Sequence, residues 1–168
     1  MAASTDVTIL GALKELINSE NRKGPITHDF DLSFSLSSGT GSGQADLVAS
    51  DRRTLNSTSE VLDLTGTSAT FKDADSNDID FAKMKMIVIR WRGTSGVLQW
   101  GPDATNGWGA ATGGPVADAS DRREIGAGDF DFWYSSTGIA VTDSSADEIQ
   151  VTTTANGEYD IWLLGTSA

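Results

Sequence analysis

The sequence predicts an all-β chain, a β-sandwich of jelly-roll type with about nine or ten short strands. Three observations carry that expectation. From residue 27 onward, apolar residues recur at every second position. Turn residues separate one such run from the next. The composition favours turns and strands, with 18 glycines in 168 residues and abundant Ser and Thr. Period-two alternation marks a strand with one buried face. Many short strands with turns between them fit two packed sheets better than a helical bundle. A single-sheet barrel is the lesser alternative.

Residues 1–24 read differently and are assigned to a short helix or an N-terminal arm, with residues 25–168 as the sandwich domain. Thr5-Asp6 is a helix cap, and Val7, Leu10, Leu13, Leu16 and Ile17 recur at helical spacing. Gly24-Pro25 closes the pattern. Against the helix, Val7-Thr8-Ile9 is β-prone and Gly11 weakens a helix. The helix is the preferred reading, ahead of an extended arm. The segment is more apolar than a free tail requires and is expected to dock on the body or on a neighbouring subunit.

Phe30, Leu32, Phe34 and Leu36 alternate with Asp29, Asp31, Ser33 and Ser35, giving the first clear strand. Ser37 to Gly43 is a Ser/Gly-rich loop, after which strand signals resume too soon for a domain boundary. Strands follow around Ala45–Ser50, Arg52–Leu55, Glu60–Leu64 and Ala69–Lys72. Lys83 to Trp91 is apolar on both alternating faces, which suggests a central strand. Gly96–Trp100 reads as its hairpin neighbour, turning through Gly93-Thr94-Ser95-Gly96. Residues 101–120 form a long loop with Trp108 near its middle, and loops of that length are usually functional or interfacial. Asp129–Tyr134, Ile139–Thr142, Glu148–Thr152 and Tyr159–Leu164 complete the set. Asn156-Gly157 predicts a hairpin turn between the last two.

The charge narrows the partners. With 24 acidic and 12 basic residues the chain carries −12 at pH 7. Phosphate binding needs clustered Lys and Arg, so nucleic acid is not expected, and neither is an anionic membrane surface. No apolar run approaches the roughly 20 residues of a membrane-spanning helix. No basic stretch followed by an apolar one marks a secretory leader. The absence of cysteine excludes disulfides and thiolate metal sites.

Catalytic patterns are weak, and no catalytic residue, cofactor or metal ligand is assigned. His28, the single histidine, lies beside the first strand, and no Gly-x-Ser-x-Gly elbow accompanies it. Asp73-Ala74-Asp75-Ser76-Asn77 resembles the opening of a calcium loop. However, Asp78 stands where the glycine belongs and Met84 where the closing carboxylate belongs, so a solvated turn is preferred. Among 24 acids, chance pairs of carboxylates are guaranteed and none stands out for glycoside hydrolysis. Gly107-x-Gly109 lacks the strand-to-helix setting of a phosphate loop.

Of five tryptophans, Trp91, Trp133 and Trp162 sit in strand patterns and are expected to anchor the core. Trp100 and Trp108 border or occupy the long loop. They pack on their own sheet, anchor a protein interface or stack on a sugar. Arg52-Arg53 and Arg122-Arg123 each follow an Asp; they form local exposed pairs or salt bridges to a neighbouring subunit. The candidate interface is Val7, Leu10, Leu13, Arg52, Arg53, Trp100, Trp108, Arg122 and Arg123.

One family resemblance emerges from the order of the motifs. Gly41-Ser42-Gly43-Gln44-Ala45-Asp46, Ser50-Asp51-Arg52-Arg53-Thr54-Leu55 and Glu60-Val61-Leu62-Asp63-Leu64-Thr65-Gly66 come first. Phe81-Ala82-Lys83-Met84-Lys85, Ile125-Gly126-Ala127-Gly128, Gly138-Ile139-Ala140-Val141-Thr142 and Tyr159-Asp160-Ile161 follow. This order, over roughly residues 27–166, resembles small virion proteins of tailed bacteriophages, the capsid decoration or cement proteins. The resemblance implies a non-enzymatic β-sandwich on the outer capsid surface after assembly in the host cytoplasm. It commonly implies a homotrimer over capsomer junctions, bridging major capsid protein subunits. A tail- or fibre-associated carbohydrate- or receptor-binding module is the alternative.

Overall fold

The computed structural model describes residues 5–16, 25–66, 69–72, 76–110 and 113–168, with side chains described from Leu36 onward. Ten strands and no helix occur among the described residues: β1 (Thr5–Leu16), β2 (Pro25–Leu36), β3 (Leu47–Asn56), β4 (Ser59–Asp63), β5 (Lys83–Trp91), β6 (Val97–Pro102), β7 (Arg123–Gly126), β8 (Phe130–Ala140), β9 (Glu148–Thr153) and β10 (Asn156–Thr166). They form two compact units, Met1–Ser38 and Gly39–Ala168.

The first unit corrects the preferred helix. β1 is a strand, paired antiparallel with β2 along its whole length, with Val7 opposite Phe34, Leu10 opposite Asp31 and Leu13 opposite His28. Pairing gives every other backbone group of Val7-Thr8-Ile9 a ladder partner, and β-branched residues favour that geometry over a helix. Val7, Leu10, Leu13 and His28 therefore have a known register, while their side chains lie outside the described residues. The strand around Phe30–Leu36, expected to open the sandwich, instead pairs with β1, and the units divide inside the Ser/Gly-rich loop.

The second unit holds two antiparallel sheets, ordered β3-β10-β5-β8 and β4-β9-β6-β7. The pairs nest: β3 with β10, β4 with β9, β5 with β8 and β6 with β7. This nesting overturns two expected hairpins. β5 and β6 lie in different sheets, as do β9 and β10, so both intervening turns are corners between sheets. The Asn156-Gly157 signal has another cause. A Cβ on Gly157 would fall 2.5 Å from the Trp91 ring, and one on Gly93 would fall 2.2 Å from it. Both glycines are spaces for that indole.

One buried cluster draws on both sheets. Ile87, Ile89, Trp91, Trp133, Tyr159, Ile161 and Leu163 come from the first; Leu62, Leu98, Trp100, Ile125, Ile149 and Val151 come from the second. The largest buried side chains are aromatic and their polar ends are all satisfied. Trp91 Nε1 donates to Ser95 O (3.3 Å), Trp100 Nε1 to Asp131 Oδ2 (2.9 Å), Trp108 Nε1 to Ala140 O (3.0 Å) and Tyr159 OH to Glu60 Oε1 (2.7 Å). Trp108 meets Trp133 edge-on, with centroids 5.5 Å apart.

Two of these bonds tie one sheet to the other. On β10, Tyr159 reaches Glu60 of β4, which also pairs with Arg53 of β3 at 2.7 Å. On β8, Asp131 accepts from Trp100 of β6 and pairs with Arg123 of β7, whose guanidinium lies 5.7 Å from the Trp100 ring centroid. Burial alone would raise the Asp131 carboxyl; Arg123 and Trp100 outweigh that and hold it below its usual range. Replacing Asp131 with Ala strands both donors. It should cost about 2–4 kcal/mol, seen as a lower urea midpoint at unchanged slope.

Candidate functional site

Among the described residues there is no cluster of three or more His, Asp or Glu side chains suited to a metal. The unusual surface is the outer face of the sheet β3-β10-β5-β8. Side chains facing inward on these strands make the core, so alternate residues face out. The strand registers align them in rungs across all four strands. One rung is Val48, Leu164, Met86 and Tyr134; the next is Ser50, Trp162, Val88 and Phe132; the third is Arg52, Asp160, Arg90 and Phe130.

Two rungs are thus almost wholly apolar in composition, though only part of each reaches solvent. Val48 (52 %), Phe130 (61 %) and Trp162 (39 %) are three of the four large hydrophobics exposed among the described residues; Val61 of β4 is the fourth. Leu164 and Met86 are each 3 % exposed, so the middle of the first rung is covered and the accessible apolar surface is carried by Val48, Trp162 and Phe130. At ordinary strand spacing the whole face measures roughly 15 Å by 15 Å.

The third rung is charged and organised. Asp160 is 5 % exposed. It accepts from Arg52 Nε at 2.7 Å and pairs with Arg92 Nη1 at 3.1 Å. Burial would raise this carboxyl, but Arg52 and Arg92 more than offset it and lower its pKa. A shallow concavity beside the rung is lined by Ser50, Asp51, Arg52, Asp160 and Trp162. Arg90 is exposed, with no ion-pair partner among the described residues. In an acidic chain, the charges presented beside this apolar face are therefore mainly arginines.

The expected interface residues scatter. Arg52 belongs to this face. Arg53 pairs with Asp51 and Glu60, inside the tie between the sheets. Trp100 and Trp108 are each 1 % exposed, which fits packing on their own sheets, one of the three expected roles, and corrects their place among the candidate interface residues; both indole N–H groups find acceptors on β8. Arg123 is committed to Asp131, and Arg122 donates to Ala119 O, Asp121 O and Gln150 Oε1. Trp162 was expected in the core and lies outside it. Its signal was available: on β10 the odd-numbered Tyr159, Ile161 and Leu163 form the buried set, which sends Trp162 to the opposite face.

Comparison with protein-family models, curated proteins and solved structures finds no match for this chain. No helix among the described residues is long and apolar enough to cross a membrane.

Two outcomes test this geometry. Iodide should quench one accessible tryptophan, and Trp162→Phe should remove that quenchable component while leaving the melting temperature within a few degrees. Asp160 has a folded pKa below its unfolded value, so its contribution is complete above the unfolded pKa of about 4 and disappears as pH falls through the folded pKa. The stability gap between the wild type and Asp160→Asn should accordingly be present at pH 7 and close on acidification, read from melts across pH.

Proposed function

We propose that the chain is a virion structural protein, a capsid decoration protein of a tailed bacteriophage that bridges major capsid protein subunits from outside the head. It acts without catalysis or cofactor. Its two sheets stack as a jelly-roll sandwich, which fits the nested pairing of β3 with β10 through β6 with β7, a winding widely used by viral capsid and lectin domains. The observation that carries the reading is the in-register apolar outer face rimmed by arginines. Exposed apolar surface of this kind marks a protein contact, and an apolar centre with Arg at its edge is the anatomy of a docking site.

Magnitude shapes the mechanism. A stable interface buries about 800 Å² per partner, and a face of roughly 15 Å by 15 Å supplies only its centre. Such a protein works by number: copies linked as a homotrimer engage several capsid sites together, and avidity multiplies a modest single contact. The net charge of −12 suits a location outside the shell, away from packaged nucleic acid. The protein assembles onto the particle from the host cytoplasm.

A second reading rests on one observation. Trp162 lies exposed beside the concavity with Ser50 and Arg52, an aromatic surface next to polar groups, as a sugar site requires. A tail- or fibre-associated carbohydrate-binding module would use it in place of the buried Trp100 and Trp108.

Sedimentation with expanded capsids tests the first reading. The purified chain should be trimeric at micromolar concentration and pellet with shells. The pair Val48→Glu and Trp162→Glu should keep the fold and weaken shell binding at least tenfold. A monomer that ignores shells, or a glycan-array signal lost in Trp162→Ala, rejects it in favour of another role.

A further inference from the structure

The first unit is an amphipathic ribbon. β1 and β2 make a sheet of two strands, joined by no third strand among the described residues. Alternate residues along a strand share a face. The register therefore puts Val7 with Phe34, Ile9 with Leu32, Gly11 with Phe30 and Leu13 with His28 on one face of the ribbon. The other face takes Asp6 with Ser35, Thr8 with Ser33, Leu10 with Asp31 and Ala12 with Asp29. The first set is apolar but for His28; the second carries Asp6, Asp29 and Asp31.

Two strands by themselves are marginal in water, and stability needs further strands over an apolar face. Leu36, at the base of the ribbon, is 1 % exposed, so the surface to be covered is the set of rungs beyond it. Within those rungs β2 supplies the bulk and β1 the smaller residues, with Phe34 beside Val7 and Phe30 beside Gly11. Gly11 is the position to explain, because a glycine inside a strand weakens it and often marks the close approach of another chain segment. A face with large residues along one strand and small ones along the other is complementary to itself. A copy turned about an axis parallel to the strands brings its β2 against the first copy's β1, rung by rung and large against small.

We propose that this ribbon is the element through which copies of the chain assemble, three ribbons turning their Val7-to-Leu13 and His28-to-Phe34 faces to a common three-fold axis. The number three rests on the homotrimer of the proposed function; the use of the ribbon stands apart from the outer sheet face. At each level β1 and β2 alternate around the axis, so that position 30 of one copy lies against position 11 of the next. Phe30 and Phe34 together bring about 300–500 Å² to the contact in each copy. Val7, Ile9, Leu13 and Leu32 extend that toward the roughly 800 Å² per partner of a stable interface. The aspartates of the other face stay outside, where copies of a chain of charge −12 are best kept apart. Six strands then share one apolar interior, which meets the requirement that a lone ribbon fails.

Light scattering of the full chain at micromolar concentration provides the test, with a trimer expected. Ile9→Asp combined with Leu32→Asp should give a monomer. All five tryptophans lie in the second unit, so unchanged tryptophan fluorescence shows that this unit is intact in the variant. Ser33→Lys, on the other face, should keep the trimer. Gly11→Val separates assembly from a local effect. Valine suits a strand better than glycine, so a ribbon covered by its own chain alone would leave the trimer unchanged or tightened. At the axis, valine crowds Phe30 and should raise the concentration for half-assembly at least tenfold. Should the double variant fail to fold, Gly11→Val decides. Val48→Glu with Trp162→Glu should lose shells and remain trimeric, which keeps the two readings distinguishable: a trimer that ignores shells supports the ribbon and rejects the capsid role, and a monomer that binds shells does the reverse. A trimer that survives Ile9→Asp with Leu32→Asp, or is unchanged in Gly11→Val, would overturn the assignment.

Discussion

The structure depends on satisfying the polar ends of large aromatic side chains inside a core shared by two sheets. Trp91, Trp100, Trp108 and Tyr159 are essentially inaccessible to solvent. Trp100 and Tyr159 would each bury an unpaired N–H or O–H if the packed sheets were shifted past one another, a costly outcome. Two of the four solve this across the sheets, through Glu60 and Asp131, and those two acids in turn hold Arg53 and Arg123. Hydrophobic burial supplies the driving force without direction; these bonds supply the direction. They fix which strand of one sheet lies against which strand of the other.

That arrangement explains why one outer face is free to be apolar. Two charged residues of the sheet β3-β10-β5-β8, Arg53 and Asp131, stand on its inward side by strand alternation. Arg53 points inward to Glu60, and Asp131 inward to Arg123 and Trp100. What remains on the outside is Val48, Trp162, Val88, Phe132 and Phe130, edged by Arg52 and Arg90. Asp160 keeps Arg52 and Arg92 in place beneath that edge. The face is thus organised before any partner arrives, which lowers the entropic cost of docking.

Much of the strand pattern was legible. The runs at Glu60–Leu64, Lys83–Trp91, Glu148–Thr152 and Tyr159–Leu164 overlap β4, β5, β9 and β10, because period-two alternation is a local property. The central position of Lys83–Trp91 followed from its apolar residues on both faces. The N-terminal segment was misread because leucines at three- and four-residue spacing also satisfy a strand when a partner of equal length is available. The two supposed hairpins failed for a related reason: Asn156-Gly157 and Gly93 were read as turn chemistry, when their glycines make room for Trp91. Neither the inter-sheet role of Arg53 and Arg123 nor the exposure of Trp162 can be read from local pattern alone, since both require knowing which face of each strand meets the other sheet.

By itself, the sequence determined the all-β class, the acidity, the absence of cysteine and the location of most strands, all of which follow from composition and short-range periodicity. Only the tertiary structure decided which strands are neighbours and which tryptophan meets solvent. Those outcomes depend on contacts between residues far apart in the chain, and no local period encodes them.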